Sequence, residues 1–200
     1  MPGYGLVKMS FSAQTVFDVF YPEDTPLRRL LYRHSCQVRD KALEILRQAG
    51  NAAPALDPRL VADGALLHDV GVGRCHAPGI LCVGSEPYIT HGLIGGALLR
   101  EYGKSSGMDL EAYARICERH TGAGLTRKNI MDQKLPLPER DFLPETPEEK
   151  LICLADKFFS KSGDMQEKSL AAARHSLEKF GADTLERFDG FCTLFGIALP

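Results

Sequence analysis

The chain has 200 residues and a mass of 22.0 kDa, which is enough for one sizeable hydrophobic core and predicts one domain. Its 24 basic and 26 acidic residues give a net charge of -2, so no overall positive field favours a nucleic acid polymer or an anionic membrane surface. There is no apolar stretch of signal-peptide or membrane-spanning length, and the six cysteines contain no C-x-x-C pair. A cytoplasmic protein in a reducing compartment is therefore expected.

The spacing of apolar residues predicts helices over most of the chain. Proline in the first turn indicates three of the helix starts, at Pro26, Pro58 and Pro147, and each of these prolines follows a residue of the N-capping type. In chain order the predicted helices cover 12–20, 26–50, 58–71, 91–101, 110–119, 147–162, 165–180 and 184–195.

Two long segments, 72–90 and 121–146, are rich in glycine, proline and polar residues and keep no periodicity, so both are expected to be loops. No hairpin signal is strong enough to predict a sheet. The fold class is therefore all-α, a helical bundle with two long loops. We expect a single domain over 1–200, with a core over 26–162 and C-terminal helices over 165–195 packing on it.

Several titratable side chains interrupt this apolar pattern on the helices or at their ends. Imidazole nitrogens and carboxylate oxygens are suitable ligands for Fe, Mn, Zn, Co or Ni, and helices hold such ligands rigidly. A carboxylate flanked by apolar neighbours, as in "LADKFF", is costly to bury without a partner. The candidate ligands for divalent metal are His34, His68, Asp69, His91, His120 and Asp156.

Three of these histidines also have a purely structural alternative. His34 could be a satisfied core side chain, His91 a helix N-terminal residue beside Thr90, and His120 a partner of a helix dipole. The two remaining histidines, His76 and His175, are expected to be exposed. The ordered set favours a metal site over these separate explanations.

The order H…HD…D resembles the HD-domain metal-dependent phosphohydrolases. Here it is formed by His34, the pair His68 and Asp69, and Asp156, and the segments "ITHGLIGGALL" and "ICERHTGAG" add the two histidines of the dinuclear branch. The chain also resembles a group of small HD proteins in which "RHTGAGLT", "LPLPERDFLPETPEEK" and "LADK" follow one another. The resemblance covers residues 26 to about 162.

This resemblance implies an HD-domain bundle with two divalent metal ions. His34, His68, Asp69 and Asp156 would surround one ion, and Asp69 would bridge to a second ion held by His91 and His120. The implied reaction is hydrolysis of a phosphoester of a small phosphorylated molecule, with a nucleotide as one candidate, by a metal-activated water. His68 and Asp69 would be catalytic, and neither a nucleic acid polymer nor a membrane is expected as a partner.

A phosphate-binding lysine that relatives often carry, in the motif HDIGK, is replaced here by Val72. Arg74 and Lys157 are the candidates to take over this catalytic role, and Lys161 and Arg127 are further ones. Each of these cations alone is more simply explained as a surface charge. The two long loops are expected to form the wall of the entrance to the site.

Two other functions remain open from the sequence. Some HD proteins with the same six ligands are mixed-valent diiron oxygenases, and ligand identity alone does not separate these from hydrolases. A nucleotide-binding regulatory module of weak activity is the other alternative, supported by the missing lysine. The sequence gives no indication of the oligomeric state.

Overall fold

The computed structural model describes residues 11–199, so the expectation that no signal peptide is present lies partly outside the described residues. Helices dominate, and the predicted all-α class is confirmed. They are α1 Ala13–Phe20, α2 Pro26–Ala49, α3 Pro58–Leu67, α4 His91–Ser106, α5 Glu111–Arg119, α6 Arg127–Asp132, α7 Pro147–Asp156, α8 Leu170–His175 and α9 Ala182–Leu194.

Local capping fixes the helix starts that the sequence predicts. The Thr25 hydroxyl accepts a hydrogen bond from the Arg28 amide at 3.1 Å at the start of α2. At the start of α7, Thr146 and Glu149 form a reciprocal capping box with Pro147 in the first turn. These contacts satisfy amide groups that have no partner within the helix, so the starts can be read from short sequence motifs.

A small sheet lies where the first loop was predicted, and this corrects the expectation that no sheet forms. Its strands are β1 Cys75–Ala77, β2 Cys82–Val83 and β3 Glu86–Pro87, in the order β2-β1-β3. β1 pairs with β2 antiparallel and with β3 parallel. Strands of two or three residues are too short to show an alternating pattern, which is why the sequence does not reveal them.

Other boundaries also differ from the prediction: α3 ends at Leu67 rather than at 71, and α4 extends to Ser106 rather than to 101. The second predicted loop contains α6, which begins with a capping box formed by Thr126 and Asn129. α7 ends at Asp156 rather than near residue 162. The helix predicted over 165–180 is reduced to α8 and a following 3-10 turn, because the Ser169 hydroxyl caps α8 and so sets its start late in the segment.

Two apolar clusters meet along α3. One joins α2, α3, α7 and α9 and includes Val38, Val61 and Phe188. The other joins α1, α3, α4 and α5 and includes Leu67 and Leu99. Because α3 is packed on both sides, the turn that follows it is held in a fixed place.

All six cysteines are free thiols, and five of them are buried. Within residues 11–199, no helix combines the length and the hydropathy needed to cross a lipid bilayer.

Candidate metal centre

The HD pair lies in the turn directly after α3. The side chains of His68 and Asp69 are 0% and 1% exposed. Gly71 follows in contact with the backbone of α4, where an added Cβ would lie 2.1 Å from the His91 carbonyl oxygen. The glycine therefore allows the HD turn and the start of α4 to approach closely, which brings His91 to the pair.

One group of donors joins three helices around the HD pair. His34 Nε2, from α2, lies 3.0 Å from Asp156 Oδ1 at the end of α7 and 3.3 Å from Asp69 Oδ2. His68 Nε2 lies 3.0 Å from the same Asp69 oxygen and 3.6 Å from Asp156 Oδ1. One potential ligand atom of each of these four residues lies within 4.8 Å of the others, as expected for donors that share one ion.

The second group uses the other oxygen of the same carboxylate. Asp69 Oδ1 lies 3.5 Å from His91 Nε2 and 3.5 Å from His120 Nε2. The two imidazole nitrogens are 3.0 Å apart. Asp69 thus faces both groups, and all six predicted ligand side chains come together.

Three of the histidines are oriented in the same way. The Nδ1 atoms of His68, His91 and His120 each lie 2.7 to 2.8 Å from the backbone carbonyl three residues earlier. A carbonyl only accepts hydrogen bonds, so Nδ1 carries the proton that it donates, and Nε2 faces the other ligand atoms. This arrangement fixes ring orientation and the tautomer that metal-binding histidines use.

Burial and mutual charge set the protonation of the centre. Burial and the neighbouring His120 lower the pKa of His91 to about 3, so its ring is neutral at neutral pH. Burial opposes the charged form of His68, but the adjacent Asp69 and Asp156 carboxylates outweigh it and raise its pKa to about 9. Burial also opposes the charge on Asp69, but His68 and Lys161 hold the pKa of this carboxyl well below its usual range.

These residues fit a bound cation. Among residues 11–199, His68 Nε2 and both carboxylate oxygens of Asp69 are buried without a hydrogen bond, and such groups are costly to leave unmatched. Lys161 Nζ compensates the charge at Asp69 Oδ2 from 2.6 Å, so His68 Nε2 and Asp69 Oδ1 are the atoms that most need a further partner. The facing Nε2 atoms of His91 and His120 also suit a cation, since two nitrogens each about 2.1 Å from one ion can lie about 3 Å apart.

Comparison with known families agrees with this geometry. A model of the HD domain family matches residues 31–160, which is more than half of the chain and contains all six residues of the cluster. The chain belongs to the HD domain family.

Its relatives include proteins of different length. An uncharacterized protein of Methanocaldococcus jannaschii is 37% identical over 62% of this chain and 62% of its own length. Two proteins named tRNA (cytidine(56)-2'-O)-methyltransferase, from Picrophilus torridus and Thermoplasma volcanium, are 41% and 33% identical over 52% and 78% of this chain. The matches cover 25% and 39% of those two proteins, so the chain spans less than two thirds of each of these relatives.

A solved structure also matches this chain over most of its length. It is the HD domain of the phosphodiesterase PgpH of L. monocytogenes in complex with cyclic-di-AMP. It is 16% identical, with a TM-score of 0.48, and the match covers 94% of this chain and 97% of that chain.

The candidate cations of this HD domain separate into two groups. Lys157 Nζ lies 2.6 Å from Asp156 Oδ2, and Lys161 Nζ lies 2.6 Å from Asp69 Oδ2. Arg74 is not brought to the cluster: it is exposed at the end of a 3-10 turn and lines a separate surface pocket. Arg127 is also directed elsewhere, toward Glu139 at 3.4 Å.

A cavity of about 590 Å³ opens onto the cluster at His91, His120 and Asp156. The first predicted loop contributes to its wall, as expected, including Tyr88, whose ring stacks on His91 at a centroid distance of 4.8 Å. The second predicted loop contributes only Thr121 and Gly122. Much of the remaining wall comes from residues 157–180, which the sequence did not indicate as part of the entrance.

Proposed function

We propose that this chain is a metal-dependent phosphohydrolase that hydrolyses a phosphoester of a small phosphorylated molecule. The observation that carries the proposal is the convergence of two donor groups on the two oxygens of Asp69. A structural role alone does not explain this arrangement. The lysine partners of the two carboxylates balance their charge, but His68 Nε2 and Asp69 Oδ1 are buried without a hydrogen bond, which is costly.

His34, His68, Asp69 and Asp156 would hold one divalent ion, and Asp69, His91 and His120 would hold a second. The donor set suits Fe, Mn, Zn, Co or Ni. Such ions, when bound, lower the pKa of water and neutralise negative charge on a phosphoryl group.

The chain's own residues orient the site. The carbonyl partners of the Nδ1 atoms keep His68, His91 and His120 from rotating, and Asp69 ties the two donor groups together. Lys157 lines the cavity beside Asp156, where its ammonium group can meet phosphoryl oxygens. Lys157 therefore remains our candidate for the phosphate contact that Val72 cannot make.

Other activities have weaker support. The six-residue cluster is also compatible with a diiron oxygenase, which would require dioxygen. A regulatory module of weak activity would not require both donor groups. The methyltransferase names belong to proteins that this chain matches over 25% and 39% of their length, so they carry no argument for methyl transfer here.

We expect the double substitution His68→Ala and Asp69→Ala to abolish metal uptake and phosphoester hydrolysis, because it removes donors from both groups. Elemental analysis of protein purified without chelators measures the metal, and p-nitrophenyl phosphate provides a generic substrate. Circular dichroism should show largely unchanged helical content. Normal turnover in the double variant would exclude the proposal.

A matched control is the exposed histidine of α8. His175→Ala removes a histidine whose partner is Glu178, outside the cluster, and should leave metal content and hydrolysis unchanged. The hydrolysis assay should be repeated without oxygen. Activity that disappears under anaerobic conditions would favour the oxygenase instead.

A further inference from the structure

The cavity wall contributed by residues 157–180 is strongly basic. Four lysines from this segment line the same cavity as the histidine and aspartate cluster: Lys157, Lys161, Lys168 and Lys179. Lys157 and Lys161 are the two that the sequence also suggests as phosphate contacts. The other two have no role in the proposed metal centre.

These four lysines are not equivalent. Lys157 and Lys161 are paired with the carboxylates of the cluster. Within residues 11–199, Lys168 and Lys179 have no carboxylate partner at ion-pair distance. Their Nζ atoms lie instead 3.4 Å from the Phe159 carbonyl oxygen and 5.0 Å from the centre of the Phe180 ring.

Two acidic residues that neighbour Lys168 and Lys179 in sequence are paired with other cations. Glu167 is paired with Lys41 at 2.6 Å, and Glu178 is paired with His175 at 3.0 Å. Burial and the like charges of the neighbouring lysines also lower the pKa of Lys168. Two cations therefore face the cavity with their charge uncompensated, and an anion bound there would relieve their repulsion.

The cavity has room for more than one phosphate. Its volume of about 590 Å³ lies within the range of pockets that bind whole small molecules. A phosphoryl group at the cluster would be beside Lys157 and Lys161. Lys168 and Lys179 are then available for a different anionic group of the same molecule.

We propose that Lys168 and Lys179 bind a second phosphoryl group of the substrate, which makes the substrate class a small molecule with two or more linked phosphates, such as a nucleoside diphosphate or triphosphate. This inference rests on the proposed function, since it places the first phosphoryl group at the cluster. The lysine pair would bind the chain of phosphates, and the rings of Tyr88, Phe159 and Phe180 in the same wall offer apolar surface to the remainder of the molecule.

The test is a binding measurement that requires no turnover. The full chain, freed of metal by chelation and dialysis, is titrated calorimetrically with inorganic tripolyphosphate and with orthophosphate. Tripolyphosphate should bind more tightly, and the double variant Lys168→Gln and Lys179→Gln should lose about tenfold or more of that affinity. The corresponding Lys→Arg variant should retain most of it, because arginine keeps the charge.

A control variant distinguishes the effect of these two lysines from the effect of net charge. Lys104→Gln with Lys128→Gln changes the net charge by the same amount at exposed positions outside the cavity and should leave tripolyphosphate affinity unchanged. Equal affinity for the two phosphates, or equal losses in the two double variants, would overturn the inference. The binding measurement does not depend on hydrolysis. Absence of phosphatase activity would therefore reject the proposed function, whereas the tripolyphosphate affinities would still test the inference.

Discussion

At the scale of single residues, the centre contains a cation of its own in Lys161. Its side chain is 10% exposed, and its Nζ atom lies 2.6 Å from Asp69 Oδ2, the oxygen that faces His34 and His68. Asp69 is the residue common to both donor groups. The ammonium group therefore neutralises the carboxylate that a metal ion would also neutralise, and the two cations should compete.

Substitution Lys161→Met should destabilise the chelator-treated protein and strengthen its stabilisation by metal. Removal of one partner from a buried ion pair costs up to about 3 kcal/mol. Here the Asp69 carboxylate keeps His68 as a partner but loses the ammonium group 2.6 Å away. Added Mn²⁺ should then raise the melting temperature more in the variant than in the natural chain, since the ion no longer displaces the ammonium group. Differential scanning calorimetry with and without Mn²⁺ measures both effects.

The control for this substitution is Lys128→Met. Lys128 forms an exposed pair with Asp132 in α6, and exposed pairs contribute little to stability because solvent screens them. Its melting temperature and its response to Mn²⁺ should stay close to those of the natural chain. An unchanged Mn²⁺ response in Lys161→Met would show that the lysine does not compete with the metal.

The sequence predicts the six residues of the cluster, but it does not predict correctly all the cations that line the cavity around them. Histidine and aspartate at apolar helical positions stand out because burying them needs a partner, and all six of these predicted residues converge. Lysines carry no such signal, because most lysines are exposed for solubility. Arg74 is suggested by its closeness to the HD pair in sequence but lines a different pocket, whereas Lys168 and Lys179 reach the cavity only through the folding of the C-terminal segment.

At the scale of elements, the centre depends on how closely α4 approaches its neighbours. An added Cβ at Gly71 would lie 2.1 Å from the His91 carbonyl oxygen and 2.4 Å from the Gly95 amide nitrogen. At Gly92 it would lie 2.4 Å from the Cys117 carbonyl oxygen of α5. Small residues thus allow the backbones carrying the HD pair, His91 and His120 to lie side by side.

Gly71→Ala should disrupt this contact. The backbone at Gly71 has φ of -79°, which alanine adopts freely, so the cost comes from the collision with α4. We expect a loss of about 3 kcal/mol or more in the free energy of unfolding, together with weaker metal binding, because His91 is displaced from Asp69. Urea denaturation and metal titration measure these two effects.

Gly190→Ala in α9 is the matched control. A Cβ at that position meets nothing within 4 Å, so the substitution should stabilise the helix by about 0.5 to 1 kcal/mol and leave metal binding unchanged. If Gly71→Ala is as stable as the natural chain and binds metal equally well, the close approach of α4 is not needed for the centre.

The elements that the sequence predicts correctly are those whose ends are set by a short local motif. The starts of α2, α3 and α7 were correct, because a capping side chain and a following proline lie next to each other in the sequence. The strands of the small sheet pair with neighbours that are close in sequence, but each has only two or three residues, too few to show an alternating pattern. The end of α7 was wrong because apolar periodicity continues past Asp156 although the helix does not.

At the scale of the whole molecule, the C-terminal helices share a core with the helices that carry the site. Phe188 of α9 is fully buried in the same cluster as Val38 of α2 and Leu151 of α7. Arg187 of α9 also donates hydrogen bonds to the carbonyl groups of Ala123 and Gly124, just after His120. Both contacts support the prediction that the chain folds as one domain rather than as a core with a separable tail.

This prediction can be tested because the fluorescent residues are unevenly distributed. The chain has no tryptophan, and none of its six tyrosines lies beyond residue 113, so tyrosine fluorescence does not report directly on α8 or α9. Phe188→Ala should reduce the free energy of unfolding by about 3 to 5 kcal/mol through the cavity it leaves in the core. In a single cooperative unit, the melting temperature should fall equally by tyrosine fluorescence and by far-UV circular dichroism.

The exposed residue Glu186 of the same helix provides the control, since Glu186→Ala should leave both transitions in place. The prediction would be contradicted if the melting temperature of Phe188→Ala fell by circular dichroism but not by tyrosine fluorescence. That outcome would make α8 and α9 a unit that melts separately from the metal centre. Lys168 and Lys179 lie in or next to that unit. On heating, these two lysines would then leave the cavity before the histidine and aspartate cluster unfolds.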